Sequence, residues 1–326
     1  MRWISPRSLA LGALALAIGL GLLAAVALRG DPEPAARTAA DISTAELTFR
    51  DGLAQVDLGE LHYVIGGRGP AILLIPGFPE SWYAWRKLMP RLARTHTVIA
   101  VDPPGVGDSS IPAAEYDARD LAGSLAQLLR EIGERRAAVV GHDLGGWTAY
   151  ALARFHPDRV SRLAVLGAGL PGFGLERRLD PAAPDGVTLP HVVLLMQPSA
   201  SVLLEGSEDE LISRFLAPDE ARPGTFDGGA ATEYLRGISR PGRLDAALAP
   251  YRALPADVAD NRSGGAPPLR LPVLGLDGER AGGELNLRTL RRAAPGAQTE
   301  LVPDAGHFLP EERPGYLAAR LLRFLG

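Results

Sequence analysis

The sequence predicts an α/β fold: a mostly parallel sheet with helices on both faces and a helical cap inserted between two strands. Three observations carry this. Short apolar runs bounded by glycine and proline alternate with helical segments through most of the 326 residues. One of those runs leads directly into a Gly-x-Asp-x-Gly turn that opens a helix. A stretch rich in Pro and Gly, from about 168 to 268, breaks the alternation once.

Taken in order, 61–65 and 71–75 read as buried strands, 82–93 as a helix and 97–101 as a strand. The span 118–134 is helical, with Leu121, Leu125, Leu128 and Leu129 on one face. A strand at 137–140, a helix at 145–155 and a strand at 163–166 follow. Past the interruption, 271–276 and 299–302 read as strands, 285–293 and 316–324 as helices. Strands that are apolar throughout are covered on both faces, as parallel sheets require. Inside the interruption, 207–216 and 231–239 are amphipathic. The core is therefore read as 45–167 with 269–326, and the cap, or lid, as 168–268.

Ahead of the core, Arg2 and Arg7 precede an uncharged apolar run over 9–28. Its length, about 20 residues, suffices to cross a bilayer. Residues 1–28 read as an N-terminal membrane anchor or, with Ala25-Val26-Ala27 as a small-x-small cleavage site, as a signal peptide. The leading charge sends the rest of the chain outward, so the expected location is extracytoplasmic, either held at a membrane or secreted. Residues 29–44, polar with Pro32 and Pro34, read as a linker.

Composition removes several classes of function. Hydrophobic residues at 46% and charged residues at 22% fit a globular chain and exclude a disordered or collagenous one. A net charge of −4 gives no electrostatic footprint for nucleic acid. Cysteine is absent, which excludes disulfides, thiolate catalysis and cysteine-held metal centres. The one lysine, Lys87, falls in a polar segment and offers no Schiff-base site. The histidines are scattered without ligand spacing, so neither a metal nor a cofactor is implied.

The chemistry concentrates in Val139-Val140-Gly141-His142-Asp143-Leu144-Gly145-Gly146. Strand, sharp turn and helix follow one another, the setting of a nucleophile elbow, with Asp143 where serine usually stands. A carboxylate attacks a saturated carbon and leaves an alkyl ester on the enzyme. Read without that chemistry, the segment is a glycine-rich turn whose aspartate caps a helix.

Three further segments come in a matching order. They are Ile75-Pro76-Gly77-Phe78-Pro79-Glu80-Ser81-Trp82, Asp102-Pro103-Pro104-Gly105-Val106-Gly107-Asp108 and Gly306-His307-Phe308-Leu309-Pro310-Glu311-Glu312. With them the chain resembles the α/β-hydrolase superfamily, and within it the epoxide hydrolases and haloalkane dehalogenases. Pro76 stands where the family's oxyanion loop carries histidine. The resemblance implies Asp143 as nucleophile and His307 as the base that activates water. It implies an oxyanion hole from the backbone N–H groups of Phe78 and Leu144, which needs no side chain at position 76. In the cap, Tyr251 and His191 fall where the family places its two proton donors. A His–Tyr pair is similar to that of an exported bacterial branch of epoxide hydrolases. Tyr234 is a spare cap tyrosine, and His142 reads as structural.

The carboxylate that orients the family's histidine is missing from both of its usual places, which here hold Gly167 and Ala281. Glu279, beside Asp277, is the candidate to replace it. The resemblance implies a small apolar epoxide opened to a diol. An alkyl halide is the alternative substrate, and a hydrolase-fold binding protein without turnover is the alternative role. If 1–28 is an uncleaved anchor, full-length protein recovered in the membrane fraction of cells retains its N-terminal sequence. A mature chain beginning near Leu28 in the soluble fraction refutes the anchor.

Overall fold

The computed structural model describes residues 35–183, 188–219, 224–226, 228–263 and 269–326. The expected anchor or signal over 1–28 lies outside them. No helix of the described residues is long and apolar enough to cross a membrane. Residues 36–326 form one compact unit.

Eight strands build one sheet: β1 (Phe49–Val56), β2 (Gly59–Gly67), β3 (Ala71–Ile75), β4 (Thr97–Val101), β5 (Ala137–His142), β6 (Val160–Leu166), β7 (Val273–Gly278) and β8 (Gln298–Val302). Their order is β1-β2-β4-β3-β5-β6-β7-β8. The β1–β2 and β2–β4 ladders are antiparallel and the remaining ladders parallel. Every residue of β3, β5 and β7 is buried, which explains why each is apolar until His142 ends β5 and Asp277 comes near the end of β7. Strand β1 escapes the apolar-run criterion because only Phe49 and Ala54 of its eight residues are buried. It is an edge strand with one wet face.

The helices are α1 (Met89–Leu92), α2 (Ala118–Glu131), α3 (Leu144–Phe155), α4 (Pro190–Leu195), α5 (Ala200–Leu204), α6 (Glu208–Asp219), α7 (Gly228–Ser239), α8 (Arg243–Arg252), α9 (Leu254–Arg262), α10 (Gly283–Ala293), α11 (Leu309–Glu312) and α12 (Pro314–Leu325). Helices α4 to α9 lie between β6 and β7. This cap is fastened to the loop after β4 by arginines. Arg236 pairs with Asp108 at 2.9 Å, Arg240 donates to the Gly107 carbonyl at 2.8 Å, and Arg243 donates to those of Gly105 and Ser109.

Two expectations fail. The helix over 82–93 is instead a 3₁₀ turn at Trp82–Trp85 followed by the short α1. Pro90 has no N–H to donate and so sits in the first turn of a new helix. All four residues Trp82 to Trp85 are buried, leaving no polar helix face. The linker over 29–44 is not free where the structure describes it. A capping box between Thr38 and Asp41 closes a 3₁₀ turn at Ala39–Ile42. The Arg37 N–H donates to Glu233 Oε2 at 3.1 Å, and the N–H of buried Ala39 donates to Asp51.

The turn between β5 and α3 needs its glycines. A Cβ on Gly145 would lie 2.2 Å from the Ile75 carbonyl oxygen, and one on Gly141 would lie 2.0 Å from that of Gly145. Both obstacles are backbone and cannot swing away. Gly145→Ala is therefore expected to cost roughly 1–3 kcal/mol in urea unfolding. An unchanged midpoint would refute this account of the turn.

Candidate active site

Asp143 stands at φ 50° between β5 and α3. With ψ at −121° the residue lies outside the left-handed helical well that aspartate visits, so the turn stores strain at the one residue it projects. The Asp143 backbone is held from both sides. Its N–H donates to the Leu166 carbonyl at 3.0 Å, and its own carbonyl accepts from the Gly146 N–H at 2.8 Å. The two carboxylate oxygens face different partners. Oδ1 accepts from the Phe78 N–H at 3.3 Å, and Oδ2 lies 3.6 Å from His307 Nε2. Leu144 opens α3, so its N–H belongs to the helix turn whose donors have no intrahelical partner. Both Asp143 and His307 keep 21% of their side-chain surface exposed, enough to meet a substrate.

A cavity of about 320 Å³ lies above this pair. Asp143, His307, Phe78, Trp147, Tyr251 and His191 all line it. Tyr251, on α8, is buried and packs edge-on against Phe78 and Trp147 with ring centroids 5.7 and 6.4 Å away. Burial raises its hydroxyl well above the usual tyrosine range, and the charge on Asp143 adds to this. Among the described residues the hydroxyl has no hydrogen-bond partner. It is a protonated group beside the carboxylate. His191, in the first turn of α4, places its ring 5.7 Å from Phe215. Tyr234 is elsewhere: it is fully buried and donates to Glu311 at 2.6 Å.

The structure does not bring Glu279 to His307. Glu279 is exposed, and its Oε2 accepts from the Asp304 N–H at 3.3 Å. Its position after β7 directs it to the rim of the β8 loop, not under the histidine. Asp277 is buried, but both its oxygens are taken, by the Gly283 N–H at 2.8 Å and by Asn286 Nδ2 at 2.9 Å. Burial raises Asp277 above the usual carboxylate range, against the pull of those two bonds and of the charges on His307 and His142. Among the described residues, no carboxylate hydrogen-bonds to the His307 ring.

A different contact fixes the histidine. His142 Nε2 meets the His307 carbonyl at 2.9 Å, and His142 Nδ1 meets Glu80 Oε2 at 2.7 Å, with the His142 and Glu80 side chains fully buried. The rings of His142 and His307 lie 4.9 Å apart. A protonated His142 donates through both nitrogens, so Glu80 and His142 clamp the backbone that carries the base. Sequence reasoning assigned His142 a structural role but missed Glu80. The one available signal was an acid directly after the apolar run from Ile75 to Pro79. His62, on β2, is likewise buried, bonding Asp102 at 2.8 Å and Asp51 at 3.2 Å.

Residues 70–314 match the family described as alpha/beta hydrolase fold. The chain belongs to the α/β-hydrolase fold family. A soluble epoxide hydrolase from Corynebacterium sp. (strain C12) is 29% identical over 281 residues, 83% of this chain and 95% of that protein. A fluoroacetate dehalogenase from Burkholderia sp. is 42% identical over 118 residues, 34% of this chain and 39% of that protein. The crystal structure of Cfl2 from Burkholderia cenocepacia matches with a TM-score of 0.79 at 38% identity, covering 85% of this chain and 96% of that one. The protein is an enzyme of the α/β-hydrolase class, of the epoxide hydrolase-like type.

Burial opposes charge on His142 and His62, yet their carboxylate neighbours outweigh it and raise both from 6.5 to about 9. A histidine raised on folding stabilises fully below its ordinary value, and that contribution is lost as pH rises through the folded one. The urea midpoint is therefore expected to fall between about pH 6.5 and 9, and Glu80→Gln is expected to flatten that fall. A midpoint level across the window in the native protein would refute the charged clamp.

Proposed function

We propose that this α/β hydrolase opens small epoxides to diols through a covalent ester on Asp143. One observation carries the reading: Asp143 Oδ2 faces His307 Nε2 in the same cavity that Tyr251 and His191 line. In the first step Oδ2 bonds to an epoxide carbon. The carbon–oxygen bond breaks, its electron pair stays on oxygen, and that oxygen takes a proton from Tyr251 or His191. In the second step His307 Nε2 takes a proton from water as the water oxygen adds to the ester carbonyl. The charge that develops on Oδ1 meets the N–H groups of Phe78 and Leu144. The alkyl oxygen then departs with a proton as the diol, and Asp143 is regenerated. The proton on His307 returns to the donor through solvent.

The dehalogenase relative supports a second reading, in which the same aspartate displaces halide. Two features weigh against it. The residue after the nucleophile is Leu144, which offers no side-chain N–H to a halide. Trp147 lines the cavity, but its indole N–H donates to the Gly169 carbonyl at 2.8 Å.

The second step forms an imidazolium with no carboxylate bonded to it, and the nearby Asp277 charge acts only at a distance. Ester hydrolysis is thus expected to be slow enough that acid-quenched native protein carries a mass increase on Asp143 during turnover. His307→Gln should make that adduct persistent, and Asp143→Ala should give neither adduct nor diol. Diol formation surviving in Asp143→Ala would overturn the reading, and halide release without diol would select the second one.

A further inference from the structure

Arg178 ends a 3₁₀ turn at Leu175–Arg178 and lines the cavity that holds Asp143. Its Nη1 donates to Asn286 Oδ1 at 2.7 Å and its Nε to Thr188 Oγ1 at 3.1 Å. Among the described residues no carboxylate pairs with it. Three other cap arginines differ: Arg236, Arg252 and Arg262 each hold a carboxylate within 3 Å. The negative charge of Asp277 acts on it, and Asn286 bonds to both, donating to Asp277 and accepting from Arg178. Asn286 itself is locked. A Cβ on Gly282 would lie 2.0 Å from its Nδ2, and one on Gly169 would lie 2.8 Å from its Oδ1. The cation is thus held in a fixed pose, with donors of its planar fork unspent. Burial already holds its pKa below the ordinary arginine value. A partly desolvated cation facing a cavity calls for an anion.

The cavity also limits the size of that anion. At about 320 Å³ it lies at the small end of the range for ligand pockets, which favours a compact molecule. Gly167 and Ala281 line the same cavity, so its walls are cut back on the side of His307.

We propose that the substrate is a compact epoxide bearing a carboxylate, which pairs with Arg178 while the oxirane carbon meets Asp143. This refines the expected apolar substrate and rests on the epoxide reading. Charge-assisted pairing with a planar guanidinium discriminates against a neutral isostere of the same shape.

The test compares trans-3-phenylglycidate with its amide, and the unreactive cinnamate with cinnamamide. Native enzyme is expected to show a kcat/KM at least about tenfold higher for the glycidate than for the amide. Calorimetry should show a similar preference for cinnamate. Arg178→Gln should abolish both preferences, and Arg178→Lys, which keeps the charge without the fork, should restore part of each. Equal turnover of the two epoxides, or a preference that survives in Arg178→Gln, overturns the proposal and leaves the epoxide reading standing. If neither epoxide is turned over, the binding pair still decides. A preference for cinnamate that depends on Arg178 upholds the anion site and transfers the failure to the epoxide reading. No preference overturns the anion site as well.

Discussion

Asp143 is forced into left-handed backbone between β5 and α3, and the surrounding packing exists to keep it there. The turn can be that tight only because Gly141 and Gly145 bring backbone atoms closer than any side chain allows. A turn of this kind lifts one carboxylate clear of the sheet and leaves its two oxygens in different environments. One faces backbone N–H at Phe78 and the other faces the imidazole of His307. The division of labour between the oxygens follows from the turn and not from any special property of the aspartate.

The base is held by an unusual balance of charge. Both places where a carboxylate would orient the histidine hold small residues, Gly167 and Ala281. The structure fixes His307 from behind, through its own carbonyl, by a buried Glu80–His142 pair. A backbone clamp positions the ring but does not neutralise the imidazolium that forms when the base takes a proton. Asp277 supplies negative charge in the right region, yet its oxygens are committed to Gly283 and Asn286. The site is therefore well placed for alkylation and less well provided for the hydrolysis that follows.

The cap completes the site by bringing in groups that the sheet lacks. Tyr251 arrives on α8, held by aromatic contacts with Phe78 and Trp147, and Arg178 arrives on the turn that leaves β6. The cap is held by Arg236, Arg240 and Arg243 on one loop, and by Tyr234 on Glu311 just past the base. Its seat is therefore linked to the same segment that carries His307. Gly167 and Ala281 line the cavity together with His307 and Arg178 and take up little of it.

The amino-acid order alone determined the sheet, the elbow and the histidine segment. Buried strands need continuous apolar runs, and a strained turn needs glycine at fixed spacing, so both constraints are local and readable. Strand β1 was hidden because an edge strand buries few residues, and the 82–93 segment misled because Pro90 starts a second helix instead of ending one. Tertiary structure alone decided the partners of the charged groups. Glu279 and Asp277 are two residues apart on one strand end, yet one is exposed on the rim and the other buried against Asn286. Glu80, His142 and the His307 carbonyl come together from two loops and the end of β5, and no spacing in the chain announces that meeting. Arg178 reads as one arginine among many until the fold strips it of a carboxylate and sets it in the cavity. Long-range electrostatics depends on what the folded chain places nearby, and the sequence carries that only through the fold it makes.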